Sequence, residues 1–291
     1  MKRFGLSTHL YHDDRLERQH LVDIAAQQFD AVEVFATRSH FDYHDSSAIA
    51  SLKEWLTDAN LALHSIHGPI TDVFANGRVQ RTFSIATRDV AARTAALREM
   101  SAALNIARVV PFRYLVVHLG VPVAQQPGAD DNNLDAAVRS VEDIVRTAEP
   151  LGVKVALEVM GNTLSTAAAL VDIIERSFDG ADVGICMDVG HAHMMGDAPE
   201  AIETTSEYLL TTHIHDNRRQ SDDHLVPFQG NINWAATVMA FEKIGYDGVL
   251  MYEVRNAESP AAVLEKAAAA RRRLEALMND AAHLTAFTDT E

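Results

Sequence analysis

Residues 212–224 read THIHDNRRQSDDH and place three histidines and three aspartates within thirteen residues, directly after a short run of strand character. Imidazoles and carboxylates at such density suit metal binding or proton transfer. Neither works from one loop alone, so other segments must bring partners to it. The chain has 14 histidines in 291 residues, and their positions along it decide whether they converge.

Short apolar, β-branched runs recur along the whole chain, and an amphipathic helical stretch follows each. The strand runs fall at 3–8, 31–36, 61–67, 114–120, 154–160, 183–189, 209–215 and 248–254. Between them lie segments such as DNNLDAAVRSVEDIVRTAEPLG, with helical apolar spacing and a terminal glycine, while SPAAVLEKAAAARRRLEALM opens on a Ser-Pro start signal. Eight such units without a composition break predict an α/β fold, a single (β/α)8 TIM barrel over residues 1–291 with a frayed tail from about 279. A doubly wound sheet fits less well, because no glycine-rich phosphate fingerprint follows the first strand. The longest insert, GPITDVFANGRVQRTFS, follows the third strand.

Barrel active sites form at the C-terminal ends of the strands. Those ends carry His67, His118, Glu158, Asp188, His213 and Glu253, from strands three to eight in order. His191, Asp222 and His224 follow in adjacent loops. Strand alternation sets Glu158 opposite Leu157 and Val159, and Glu253 opposite Tyr252 and Val254, so one choice of face turns all six strand residues into the barrel mouth. Alone, His118 reads as a hydrogen-bonded core histidine and Asp222 as a loop aspartate. Independent structural roles rarely select the same end of six consecutive strands. Alternation puts His64 off the face of His67, and it is read as a core histidine.

The electrostatics sharpen the reading. Glu158, Asp188, Asp222 and Glu253 would share one cavity, and two like charges about 5 Å apart repel by roughly 3 kcal/mol at an effective dielectric near 20. Four carboxylates cannot all stay ionised there without cations, and few lysines or arginines lie nearby in sequence. One or more divalent ions resolve the conflict, and mixed imidazole and carboxylate donors suit zinc, manganese, cobalt or iron better than calcium.

Composition narrows the class further. Hydrophobic residues make up 47% and charged residues 23%, which supports a large core. No apolar run reaches the length of a membrane span, and the N-terminal MKRFGLSTHLYHDD has no signal-peptide apolar segment. With Cys186 as the single cysteine, these features predict a cytoplasmic protein. The net charge of −16 weighs against a nucleic-acid partner. Barrel enzymes commonly associate, which leaves a homo-oligomer open, although no interface is legible in the sequence.

With these residues assembled, the chain resembles the xylose isomerase-like barrel superfamily, which also contains the endonuclease IV type of DNA repair enzyme. The segments VEVFATRSHFDY, LHSIHGPI, VVHLG, ALEVMGN, CMDVGHAHMMGD, HIHDN with DDHLVPFQGNINW, and YEV carry the resemblance in order along nearly the whole chain. In the sugar isomerases and epimerases, the resemblance implies one divalent ion held by Glu158, Asp188, His213 and Glu253. In the endonuclease, it implies three zinc ions held by those four with His67, His118, His191, Asp222 and His224. The resemblance favours His213 over His215, which is left as a core histidine. The surrounding motifs look more like the sugar phosphate isomerase/epimerase group, and the nuclease's DNA-penetrating loop sequences are not found.

The leading expectation is therefore a metal-dependent sugar or sugar-phosphate isomerase or epimerase acting through an enediolate on a small carbohydrate. Glu158 and Glu253 would exchange the proton, and Glu33, His191 and Arg218 would contact substrate. The alternatives are an endonuclease IV-like multinuclear zinc phosphodiesterase, or a metal-dependent sugar lyase or binding protein.

Overall fold

The β-branched runs form eight parallel strands, β1 Arg3–Ser7, β2 Ala31–Phe35, β3 Ala62–His67, β4 Tyr114–Val117, β5 Lys154–Glu158, β6 Val183–Asp188, β7 Leu209–Ile214 and β8 Val249–Tyr252. Each pairs with its neighbours in sequence and β1 pairs with β8, so the sheet closes into a barrel and leaves no edge. This is the (β/α)8 TIM barrel expected. The computed structural model describes residues 3–75, 78–79 and 82–288.

Nine helices run outside the sheet among the described residues: α1 Arg18–Ala26, α2 Ser46–Ala59, α3 Val90–Leu104, α4 Leu134–Ala148, α5 Ala167–Ser177, α6 Val189–Met195, α7 Ala198–Thr204, α8 Trp234–Lys243 and α9 Pro260–Thr288. Short polar residues start most of them by accepting the first free N–H groups: Asp45, Asp89, Asn133, Thr166, Asp188, Asp197 and Asn233 cap α2 to α8 in turn. None is long and apolar enough to cross a membrane. The expected tail from 279 continues as helix to Thr288, and residues 289–291 lie outside the described residues. The insert after β3 carries a small hairpin, Phe74–Ala75 against Arg78–Val79.

Alternation divides each strand between two cores. One face packs under the helices in the main hydrophobic core. The other fills the barrel floor with two small clusters, Val116, Ala156 and Cys186, and Ala31, Val249 and Met251. Two residues further along the same faces stand His118, Glu158 and Asp188 above the first cluster, and Glu33 and Glu253 above the second. The strands end sooner than their apolar runs: β4 stops at Val117 and β8 at Tyr252, so His118 and Glu253 sit one residue past the ladder.

Two register shifts break the simple alternation. Val32 pairs with Leu63 but Glu33 pairs with Ser65, which makes His64 an extra residue on β3. His64 then hydrogen-bonds Thr211 Oγ1 at 3.0 Å, across the barrel from β3 to β7. Its expected outward orientation is corrected by this bulge, although it remains a hydrogen-bonded core histidine. The second shift makes Leu210 the extra residue on β7. Since Asp89 takes the N–H groups of both Ala91 and Ala92, Asp89→Ala should cost about 1 kcal/mol of stability in urea titration while leaving metal binding intact.

Candidate metal centre

His67, Glu158 and Asp188 are the last residues of β3, β5 and β6, and His213 is the last but one of β7. Asp188 also caps α6, accepting the His191 N–H at 2.7 Å, and this turns the His191 ring back over the barrel. Asp222 and His224 arrive from the β7–α8 loop.

Three groups of donors result among the described residues, each with its ligand atoms within 4.8 Å of one another. The inner group is Glu158, Asp188, His213 and Glu253. A second, His67, His118 and Glu158, shares Glu158 with it. The outer group is His191, His215, Asp222 and His224, and Asp188 adjoins it through His215 at 3.0 Å and His191 at 3.3 Å. All nine residues read from the strand ends and loops thus lie together, and His215 lies with them.

The ion-pair partners of these carboxylates are histidines. Glu158 Oε2 lies 3.1 Å from His118 and 3.3 Å from His67. His213 Nδ1 lies 3.4 Å from Glu253, 3.7 Å from Glu158 and 3.9 Å from Asp188. Yet this nitrogen is buried with no hydrogen bond, as is Nδ1 of His215. Donors about 2.0–2.2 Å from a tetrahedral ion stand roughly 3.3–3.6 Å apart. The spacing around His213 Nδ1, its lack of a hydrogen bond and the mixed N and O donors therefore fit a divalent transition metal.

The far nitrogens are fixed in a way that suits the same role. His213 Nε2 pairs with Glu33 at 3.0 Å, His67 Nδ1 with the Gly68 carbonyl at 3.0 Å, and His224 Nδ1 with the Glu253 carbonyl at 2.8 Å. Glu33 is fully buried and also accepts from Ser7 and Ser65. Both of its oxygens are engaged beneath His213. Arg218 is exposed, and its guanidinium donates to the Gln229 carbonyl at 2.9 Å.

Burial disfavours charge, and for several of these groups their neighbours reverse its effect. Against burial, His118 and His213 hold Glu158 well below the usual carboxylate range, and His191 and His215 hold Asp188 below it. His213 lowers Glu33 to about 2. In return Asp188 raises His191 well above its ordinary value, Glu33, Glu253 and Glu158 do the same for His213, and Asp222 lifts His224 to about 9. Protonated imidazoles neutralise the carboxylates wherever a metal does not.

Three histidines escaped the sequence reading. His215 directly follows β7, and the resemblance, which favours His213, leaves it as a core histidine. His9 and His12 follow β1, whose end offered no ionisable residue. They line a cavity of about 220 Å³ with Phe35, Thr71, Phe83 and His118. Burial lowers His9 well below its ordinary value and His12 to about 3, so both are neutral imidazoles.

Comparison with known proteins identifies the family and the fold. The profile of the family described as xylose isomerase-like TIM barrel matches residues 21–278. An inosose isomerase of Bacillus subtilis is 26% identical over 181 residues, covering 57% of this chain and 63% of its own. The structure of D-psicose 3-epimerase with D-tagatose from Clostridium cellulolyticum H10 superposes with a TM-score of 0.76 at 19% identity, covering 96% of this chain and 99% of its own. The IOLI protein structure with a binding zinc atom gives 0.76 at 18% identity, covering 94% and 98%.

At about pH 7, His191, His213 and His224 carry protons that metal ligation must displace. Zinc added to chelator-stripped protein should therefore release protons, and its affinity should rise with pH until His224 has titrated near 9. Without metal the sign reverses: the raised His224 value adds stability below 6.5 that is lost as pH rises through about 9. Calorimetry in buffers of different ionisation enthalpy measures the proton release. A zinc-binding heat that does not change with buffer would contradict it.

Proposed function

The chain belongs to the xylose isomerase-like TIM barrel family, and from that premise we propose that it is a divalent-metal-dependent isomerase or epimerase of a small sugar. Glu158, Asp188, His213 and Glu253 would hold the principal ion. His67 and His118 with Glu158, and His191, Asp222 and His224 with His215, would hold others. When bound, the ion polarises a carbonyl and its neighbouring hydroxyl and so acidifies the carbon-bound proton between them.

Everything else falls to side chains. One carboxylate of the Glu158–Glu253 pair takes the proton from carbon, and the electron pair moves to the carbonyl oxygen to give an enediolate. The other, as its carboxylic acid, returns a proton to the opposite face of that carbon for an epimerase; for an isomerase the proton goes to the neighbouring carbon and the hydroxyl proton passes from one oxygen to the other. The observation that carries this reading is the convergence of Glu158 and Glu253 on one unpartnered nitrogen, His213 Nδ1. Two carboxylates from different strands thus flank one point. Glu33 holds the His213 ring so that this nitrogen faces them. The adjoining cavity, with its neutral imidazoles, a threonine and Phe35, suits hydroxyl groups and the apolar face of a sugar ring. Relatives named for inosose and D-psicose support a polyhydroxy carbonyl substrate.

The outer group favours a second reading, phosphodiester hydrolysis by a multinuclear zinc site, in which Glu158 bridges ions instead of moving a proton. The charge of −16 opposes docking of a polyanion.

During turnover of a ketose in deuterium oxide, label should enter the carbon next to the carbonyl. Glu158→Gln should abolish turnover while weakening metal binding less than Asp188→Ala does, since the carboxamide keeps an oxygen ligand. Turnover without label would replace proton transfer by hydride transfer. An abasic-site duplex should stay intact with zinc at saturation, and efficient metal-dependent incision would promote the phosphodiesterase reading.

A further inference from the structure

The outer group depends on a loop, and that loop is gathered around one buried carboxylate. Asp216 has no exposed surface. Its Oδ1 accepts the N–H groups of Asn217 at 2.9 Å and Ile232 at 3.2 Å. Its Oδ2 accepts the Phe228 N–H and the Trp234 indole N–H, both at 2.9 Å. These donors come from the start, the far arm and the end of the β7–α8 connection. Its backbone also pairs with Leu225 in both directions, at 2.7 and 2.8 Å, which closes residues 216–225 into a ring of chain that includes Asp222 and His224.

The loop's backbone has little preference of its own for this path. Arg219, His224 and Phe228 all hold positive φ, at 71°, 44° and 75°, a region that side chains with a Cβ avoid. Such conformations persist only where surrounding contacts impose them. The packing about Asp216 is close enough to do so, since a Cβ on Gly230 would come within 2.2 Å of Asp216 Oδ1 and 2.3 Å of the Asn217 carbonyl. Asn217 extends the anchor by donating to the Gly190 carbonyl at 2.8 Å, in the helix that carries His191.

We infer that Asp216 is a positioning residue: its four hydrogen bonds set the path of the β7–α8 loop, and that path presents Asp222 and His224 to His191 and His215 as one outer metal site. This rests on the metal-centre reading above. The inner groups stand on strand ends and need no such anchor, so the outer site becomes separable from them.

Asp216→Asn is nearly isosteric but replaces one acceptor oxygen with an N–H donor, leaving two of the four donors unpartnered. In full-length protein stripped of metal, hydrogen exchange at the amides of Asn217, Phe228 and Ile232 should quicken more than about tenfold, with β5 and β6 unchanged. Zinc titration should show its weakest step weakened by about tenfold or more and the tighter steps kept. An Asp222→Ala, His224→Ala double variant should lose that same step without faster exchange. Unchanged exchange in Asp216→Asn, or an equal loss at every zinc step, would overturn the inference. A double variant that keeps every zinc step would instead overturn the outer-site reading, and the exchange data would still decide whether Asp216 anchors the loop.

Discussion

Carboxylates buried side by side need positive charge, and the rest of this molecule is arranged around that need. Glu33, Glu158, Asp188 and Glu253 are all almost inaccessible, and histidines supply their ion-pair partners. A histidine can answer a carboxylate in two ways, as a protonated cation or as a neutral ligand beside a shared metal ion. The raised values of His191, His213 and His224 describe the first state. The unbonded Nδ1 atoms of His213 and His215 suit the second.

The barrel supplies the rigidity that such a cluster demands. Two small apolar clusters and the His64–Thr211 hydrogen bond occupy its floor, and the inward positions above those clusters fall at the C-terminal rim. Charge is thus concentrated one layer above them. Cys186 illustrates the boundary: it lies directly beneath Asp188 on the same strand face, and burial pushes its thiol up to about 12. Removing a carboxylate or histidine from this layer would leave its partner buried and unpaired, a change that typically costs about 3–5 kcal/mol.

Much of this was legible in the sequence because strand period and barrel topology are simple rules. Reading the ionisable residues at the C-terminal ends of the apolar runs brought out His67, Glu158 and Asp188, and the family resemblance favoured His213 over His215. His118 and Glu253 emerged from the same rule even though the ladder stops one residue before each. The failures fall where the rules do. The bulge at His64 reverses its face, the preference for His213 set His215 aside, and no pattern announces the three hydrogen bonds of Glu33. The role of Asp216 is invisible from sequence, since its donors come from residues up to 18 positions away along an irregular loop.

On this account the charged layer is built to hold a divalent transition metal. Elemental analysis of purified protein, before and after zinc or manganese supplementation and exhaustive dialysis, tests it most directly. At least one tightly held ion per chain is expected in the native sequence, with a marked loss in Asp188→Ala. Protein that retains no metal above background, even after supplementation, would contradict it.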